Sequence, residues 1–416
     1  MQVKFGAYLV IPLKYEDEKE YAEKLSATYP RYELTTMDIS ENVKNMFNSE
    51  GDQSIGSVFK ISGSDIKSRF CDKSARLFVT KDEKRYEFDV IDSYVYAFNT
   101  RIAFLCLGIS FSDMKALATI CNPGFAQNSA EYEYIQGDSK FAFSLESVLL
   151  DFCGEYGFEG FFGPQTSLLI EAYTYVVALT DTMFDSLETI RKITFNLHQM
   201  QGIDVPVEDD SEGDIRYVYA VKNAALNAYR WGCCVTSQTI AYAVADPSKS
   251  TELCEEMATQ AADGLPIVLL ALYEKYTCLR FTELIAQPRT RKLKTILKLK
   301  KLMLRFQAFG TVTPANLSRW NNVRQIYAYL TEVSDVSSAV TDISSKLDIL
   351  VEEQQELENQ RSSRIINLVT IFGIVGIMSS VQEIVQILSA GSNLMWSVTL
   401  FTTAVMALCF GLAMKK

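Results

Sequence analysis

The sequence has little of what most enzyme active sites are built from. His198 is the only histidine among 416 residues, and no glycine-rich phosphate loop of the P-loop or dinucleotide type occurs. Most pairs of a nucleophile with a general base, and the common cradles for nucleotide phosphates, are therefore excluded. The sequence predicts a protein that is not an enzyme.

Paired cysteines and an excess of basic charge are also missing. The nine cysteines include no C-x-x-C pair and lack partner histidines, so the sequence indicates neither a zinc site nor a disulfide framework. Their scatter through apolar runs suits a reducing compartment. A formal charge of −11 and a pI near 4.9 disfavour direct binding to nucleic acid. The first twenty residues contain an apolar stretch too short for a secretory leader, and we expect it to be a cytoplasmic strand.

The chain from 1 to 160 reads as a mixed α/β cytosolic domain. Six short runs are rich in Val, Ile, Phe and Tyr and are bounded by turn-forming residues, which predicts strands of one sheet. They are Val3–Pro12, Val58–Ile61, Ala75–Thr80, Tyr86–Ile91, Tyr94–Asn99 and Ile102–Ser110. Asn99, Thr100 and Arg101 are expected to form a hairpin turn, and a helix ending before Pro123 should follow the last strand.

From 161 to 315 the pattern changes, and we expect a helical cytosolic region. Apolar residues recur at spacings of three and four for about nine turns after Thr166. Further helices are predicted over Ile215–Ala245, Ser250–Ala286 and Leu293–Phe309. Arg216, Arg230 and Trp231 fall in this region, and Arg with Trp can stack on a purine and hold its phosphate. Core packing is the alternative interpretation of these three residues.

A long stalk helix is predicted over 316–364. Its apolar residues alternate spacings of three and four in a heptad seam, and no Gly or Pro lies between Ala315 and Phe372. One unbroken helix is therefore expected to continue from Asn316 to Leu388. The seam must be buried, either against other copies of the chain or within one subunit. Its members are Ile326, Tyr329, Val333, Val336, Val340, Ile343, Leu347, Leu350 and Leu357.

Two apolar segments near the end of the sequence predict a two-helix transmembrane hairpin. The first comprises 365–388 with its outer extension, and the second comprises 394–414, which carries no charge. Arg361 and Arg364 precede the first span, and two lysines follow the second. The positive-inside rule then places both termini in the cytoplasm, with the spans in the inner membrane.

This architecture resembles the CorA superfamily of two-span metal-ion transporters. An acidic cytosolic domain, a long helix leading into the first span and a dibasic tail all correspond to that family. Its Gly-Met-Asn signature is replaced by Gly391, Ser392 and Asn393, a degenerate match that a simple turn would also explain.

The resemblance implies a homopentamer that conducts Mg²⁺ or another divalent cation, with the first spans around a pore. The cation would be both the substrate and a regulator of gating by the cytosolic domain, and no covalently bound cofactor is expected. The corresponding pore-lining positions are Asn367, Thr370, Ile374, Ile377 and Ser380. Hydrogen bonding between helices, or back to the same helix, is the alternative role of the polar ones.

Three further points stay open at the level of sequence. The acidic loop Glu208–Asp214 suits hard cations but is also typical of a solvated run, so metal ligands are not assigned. The chain is also similar to CorA-like effectors of CRISPR defence, which would make a nucleotide messenger its gating ligand. A membrane-anchored scaffold is a third interpretation.

Overall fold

A computed structural model describes most of the chain. The described residues are 3–16, 18–49, 54–122, 130–207, 214–249, 251–287, 293–388 and the single positions 396, 400, 401, 403 and 404. They divide into two compact units. One is drawn from Met1–Ala286 with Lys301–Ser344, and the other from Gln287–Lys300 with Ser345–Lys416.

The first unit is built on one mixed sheet of twelve strands. Its strand order is β10-β11-β12-β9-β1-β5-β4-β3-β6-β7, with β2 paired to β4 and β8 to β1. The β9–β12 pair is parallel, and the other described pairs are antiparallel. The strands are β1 (Val3–Lys14), β2 (Gly56–Ile61), β3 (Arg76–Lys81), β4 (Lys84–Phe98), β5 (Ile102–Phe111), β6 (Glu131–Gln136), β7 (Ser139–Phe143), β8 (Glu159–Gly160), β9 (Tyr173–Thr180), β10 (Arg216–Tyr219), β11 (Trp231–Val235) and β12 (Thr239–Ala245).

The described helices flank the sheet and then continue toward the end of the chain. They are α1 (Glu18–Thr28), α2 (Glu41–Asn48), α3 (Gly63–Lys67), α4 (Met114–Cys121), α5 (Leu145–Tyr156), α6 (Leu187–His198), α7 (Leu253–Asp263), α8 (Leu265–Ala286), α9 (Leu293–Arg305), α10 (Pro314–Leu317), α11 (Asn321–Val333) and α12 (Val336–Leu388). A π-helical turn, Phe306–Gly310, follows α9.

Alternation along the strands places a core on each face of the sheet. On β1, Ala7, Leu9 and Ile11 lie in the cluster that includes α4, α5 and α6. Tyr8 points to the opposite face, where its hydroxyl donates to the Met257 carbonyl oxygen of α7 at 3.0 Å. Helices therefore cover both faces, and the first unit has three layers.

Local sequence explains where several of these helices begin. The Asp113 carboxylate accepts from the backbone N–H groups of Lys115 and Ala116 at the start of α4. The Ser186 hydroxyl accepts from the Thr189 N–H at the start of α6. Each cap satisfies donors that the first helical turn leaves open.

The structure confirms the mixed α/β prediction for the first part of the chain. The six predicted strands lie in the sheet, with the runs at 86–91 and 94–99 forming one strand, β4. A bulge between Ile91 and Tyr94 separates them. Arg101 adopts a positive φ of 67° in the β4–β5 hairpin, as the predicted turn there requires.

The helical prediction for 161–315 is wrong for most of 161–245, where α6 (Leu187–His198) alone among the described elements is helical and confirms the second half of the predicted nine-turn helix. Strand β9 replaces the first half of the predicted nine-turn helix, and β10, β11 and β12 replace the helix predicted over Ile215–Ala245. All eight residues of β9 are buried, because α6 covers one face of this strand and α7 the other. A strand buried on both faces shows no period of two, so its pattern can be mistaken for that of a buried helix. Helices α7, α8 and α9 confirm the remainder.

The predicted unbroken helix from Asn316 to Leu388 is also wrong. Ser318 and Trp320 are extended between α10 and α11, and Asp335 has a φ of 48° between α11 and α12. Packing overrides helix propensity at the first break, where Leu317 is fully buried and its carbonyl oxygen accepts from the Ser40 N–H. Aspartate is one of the few residues that tolerates the left-handed conformation of the second break.

The heptad seam is largely covered within the chain. Ile326, Val336, Ile343 and Leu347 are buried, whereas Leu357 is exposed. The alternative that the seam packs within one subunit therefore describes its first part.

The backbone of β5 at Gly108 lies so close to the β4 bulge that adding one methyl group there should strongly destabilise the fold. A Cβ at Gly108 would lie 2.5 Å from the backbone oxygen of Asp92 and 2.9 Å from Cε1 of Tyr8. We expect Gly108→Ala to lower the free energy of unfolding by about 3 kcal/mol, because overpacking of this kind forces the backbone to move. Denaturant unfolding of the full chain, followed by circular dichroism, measures the change.

The matched control is Gly154→Ala on α5. A Cβ there would meet nothing within 4 Å, so helix propensity should raise stability by roughly 0.5–1 kcal/mol. Equal effects of the two substitutions would contradict the steric account.

Candidate functional site

The most unusual surface of the chain is the uncovered second part of α12. From Glu352 to Ile384 each described side chain is exposed, apart from the partly exposed Gln354 and Ile371. Among the described residues, one helix is long and apolar enough to cross a membrane. This candidate covers Val336–Val381, and its most apolar window has a mean hydropathy of 1.8 with none of its residues buried.

From 365 onward, nine of the exposed residues of this segment are large and apolar. They are Ile365, Ile366, Leu368, Val369, Phe372, Ile374, Ile377, Val381 and Ile384, each at least 38% exposed. Monomeric soluble proteins rarely expose a contiguous apolar surface of this kind, which is typical of sites of protein or membrane interaction.

Four of the five predicted pore positions share one face of this helix. At 3.6 residues per turn, Asn367, Thr370, Ile374 and Ile377 fall within an arc of roughly 80°. Ser380 lies outside that arc, roughly 60° beyond Ile377. The face therefore presents one amide and one hydroxyl near the start of the apolar segment, followed by apolar side chains.

The two hydroxyls bond to their own helix. Thr370 Oγ1 donates to the Ile366 carbonyl oxygen at 2.8 Å, and Ser380 Oγ donates to the Gly376 carbonyl oxygen at 3.0 Å. In the structure both hydroxyls therefore have the alternative role, in which they bond back to their own helix. Each hydroxyl oxygen still has lone pairs that can accept or coordinate.

Several predicted features lie outside the described residues. They include the whole of Gly391, Ser392 and Asn393, and all but Asp214 of the acidic loop. Of the second predicted span, only Trp396, Leu400, Phe401, Thr403 and Ala404 are described, and they are helical and exposed. Within the part of the chain that the structure describes, no group of three His, Cys, Asp or Glu side chains is placed to hold a metal ion.

The structure does not bring Arg216 together with Trp231. Both lie on strands, but Arg216 pairs with Val235, four positions and roughly 13 Å along β11 from Trp231. The Arg216 guanidinium donates to Glu332 Oε1 of α11 at 2.8 Å.

Arg230 and Trp231 line a separate cavity of about 280 Å³. Asp38, Glu256 and Asp263 line the same cavity. Burial, and secondly the charge of Asp263, raise the pKa of Asp38. Because three carboxylates and one arginine line this cavity, an anionic phosphate is disfavoured here.

A larger cavity, of about 630 Å³, was not predicted from the sequence. It lies where β9 and β12 begin, between the end of α6 and the middle of α8. Its walls include Phe162, Tyr173, His198, Lys275 and Tyr276. The sequence predicted one helix of about nine turns after Thr166. In such a helix Tyr173 and His198 would lie far apart. The only signal for this cavity was the single histidine.

A buried carboxyl on the face of α8 that points away from this cavity joins three segments. Glu274 of α8 is 5% exposed, and its Oε1 accepts from the Tyr327 hydroxyl of α11 and from the Val312 N–H at 3.1 Å. Burial raises the pKa of Glu274 to about 7, although both hydrogen bonds oppose the shift. This carboxyl therefore changes charge near neutral pH.

Comparison with protein-family models, curated proteins and solved structures finds no match to this chain. The CorA resemblance accordingly remains a prediction from the sequence.

Proposed function

We propose that the chain is a membrane protein whose copies assemble through α12 into a cation-conducting pore. The observation that carries this proposal is the exposed apolar segment of α12, which the described part of a single chain leaves uncovered. Mg²⁺ is the proposed default substrate, by resemblance to the CorA superfamily. The proposed assembly is a homopentamer gated by its cytosolic domain.

Burial energetics favour lipid as the surroundings of this segment. Moving one large apolar side chain out of water contributes about 2 kcal/mol, so nine contribute on the order of 20 kcal/mol. That exceeds the total stability of an ordinary domain. From Ile365 to Leu388 the helix is about 36 Å long, which is enough to cross the hydrocarbon core.

Two features favour association of copies over a solitary anchor. The polar stretch 352–364 is helical and exposed, and an isolated helix of that length is marginal in water. Asn367 introduces an amide into the apolar segment, where it is costly unless it faces a partner or a water-filled pore. Packing several copies of the chain around one axis would support the exposed helix and would give Asn367 a pore or a neighbouring helix to face.

The charge next to the membrane favours cations. Glu352, Glu353, Glu356 and Glu358 carry exposed carboxylates just before the apolar segment. Repeated around an axis, they would raise the local concentration of cations at the pore mouth. Arg361 and Arg364 then mark the cytoplasmic boundary of the span.

The proposal includes a second span over 394–414, which returns the chain to the cytoplasmic side. The lysines at 415 and 416 would then match the two arginines before the first span. Gly391, Ser392 and Asn393 would form the outer turn. Both termini would be cytoplasmic, and the inner membrane would be the location.

Reconstitution of the full chain into liposomes tests the proposal. With a Mg²⁺-sensitive dye inside, we expect influx that protein-free liposomes lack, and inhibition of that influx by millimolar internal Mg²⁺. Native mass spectrometry should show a homo-oligomer. A strict monomer would contradict the proposal, and an oligomer without flux would indicate a membrane-anchored scaffold.

A further inference from the structure

The cavity between α6 and α8 contains a cation without a carboxylate partner. Lys275 is half-buried and makes no ion pair with any described residue, and its Nζ lies 5.9 Å from the centroid of the Tyr276 ring. Burial lowers the pKa of Lys275, because desolvation penalises the ammonium form. A ligand with a negative charge would stabilise that form.

His198 lines the same cavity from the end of α6. Burial lowers the pKa of His198, so the imidazole is neutral at pH 7 and adds no charge to the cavity. Its Nδ1 is fully buried and has no hydrogen-bond partner among the described residues, so Nε2 is the ring nitrogen left to meet a ligand.

Aromatic rings form the apolar part of the cavity wall. Phe162 and Tyr276 lie with ring centroids 6.2 Å apart, and Tyr173 contributes from the start of β9. Leu169 and Ile170 extend this surface. A volume of about 630 Å³ falls within the usual size of small-molecule sites.

The balance of charge limits the kind of anion. Among the described lining residues, Lys275 is the one cation and Glu171 the one carboxylate. The pKa of Tyr276 is raised by burial and then by the Glu171 charge, so this carboxylate acts on the aromatic wall. A polyphosphate would meet repulsion that a single negative charge avoids.

We propose that this cavity binds a small organic monoanion, with its carboxylate or sulfonate on Lys275, beside His198, and its apolar part against the edge-to-face ring pair of Phe162 and Tyr276. The site is separate from the proposed pore. Its test therefore succeeds or fails independently of ion flux.

Two fluorescent probes that differ by one charge test the proposal. The probes are 8-anilinonaphthalene-1-sulfonate and its neutral counterpart, N-phenyl-1-naphthylamine. They are titrated against the full chain in nanodiscs of zwitterionic lipid, with the signal of empty nanodiscs subtracted. We expect Lys275→Met to weaken sulfonate binding about tenfold or more, because a charged hydrogen bond is lost. Lys275→Arg should retain binding, and the neutral probe should bind all three proteins alike.

Filling the cavity gives a second, independent measurement. Ile170→Trp should abolish binding of both probes, whereas Leu150→Trp, at a similarly exposed position on α5 outside the cavity, should preserve it. The proposal is overturned if Lys275→Met leaves the sulfonate titration unchanged. It is also overturned if Ile170→Trp binds both probes as the unmodified chain does.

Discussion

Replacing Asn367 with Leu is expected to reduce cation flux into liposomes at least tenfold while the oligomer persists. On the proposed pore-facing side of α12, Asn367 is the first polar group after the basic flank. A ring of amides there would replace part of the hydration shell of an entering cation. Loss of as little as 1.4 kcal/mol of this stabilisation slows entry tenfold.

The matched control is Ser379→Leu, which adds a large apolar side chain to the same helix. Ser379 lies roughly 160° around the helix from the centre of the Asn367 face, so it should leave flux within a factor of about two. Flux and subunit number are measured on the same preparations. Unchanged flux in Asn367→Leu removes this residue from the pore. Dissociation of the oligomer would instead assign the amide to helix–helix hydrogen bonding.

The stability of the first unit is expected to fall as pH rises from 5 to 8, because of Glu274. The pKa of this carboxyl is about 7 in the folded protein against an ordinary value of 4.5. Between those values the unfolded chain releases its proton while the folded chain keeps it, so the folded state loses stability as pH rises. The full change corresponds to roughly 3 kcal/mol.

The neighbours of Glu274 do not titrate in this range. Burial raises the pKa of Tyr273 and of Tyr327, and it raises the pKa of Cys278 to about 12. All three stay neutral between pH 5 and 8. Glu274 is therefore the group in this cluster whose charge changes.

Glu274→Gln isolates this contribution. The amide keeps an oxygen that accepts from Tyr327 and Val312, but it does not ionise. We expect the variant to match the unmodified chain near pH 5 and to exceed its free energy of unfolding by about 2–3 kcal/mol at pH 8. Chemical denaturation of the full chain at several pH values measures this, and parallel pH profiles of the two proteins would contradict the assignment.

Glu283→Gln on the same helix serves as a control of opposite sign. Burial opposes ionisation of Glu283, but hydrogen bonds from Lys14 and Arg280 outweigh it and lower its pKa. Its stabilisation is present above the unfolded pKa and is lost as pH falls. The Glu283→Gln substitution should therefore reduce stability at neutral pH.

The first five strands of the mixed sheet show how much of the fold local residue patterns predict. Strands β1 to β5 were predicted because their Val, Ile, Phe and Tyr runs end at turn residues, and the Arg101 hairpin followed from the same local signals. The apolar segment of α12 was evident from composition alone. These features depend on residues that are close together in the sequence, so local patterns are enough to predict them.

The α/β character of the first part, helix α4 and the long apolar helix follow from the sequence, because turn chemistry and hydropathy are local. The tertiary structure alone decided that Tyr173–Thr180 is a strand, that helices break at Ser318 and Asp335, and that Lys275 and His198 meet at one cavity. Each of these depends on partners far along the chain. β9 becomes a strand because β1 and β12 satisfy its backbone on both sides, and no pattern within β9 itself distinguishes it from a buried helix.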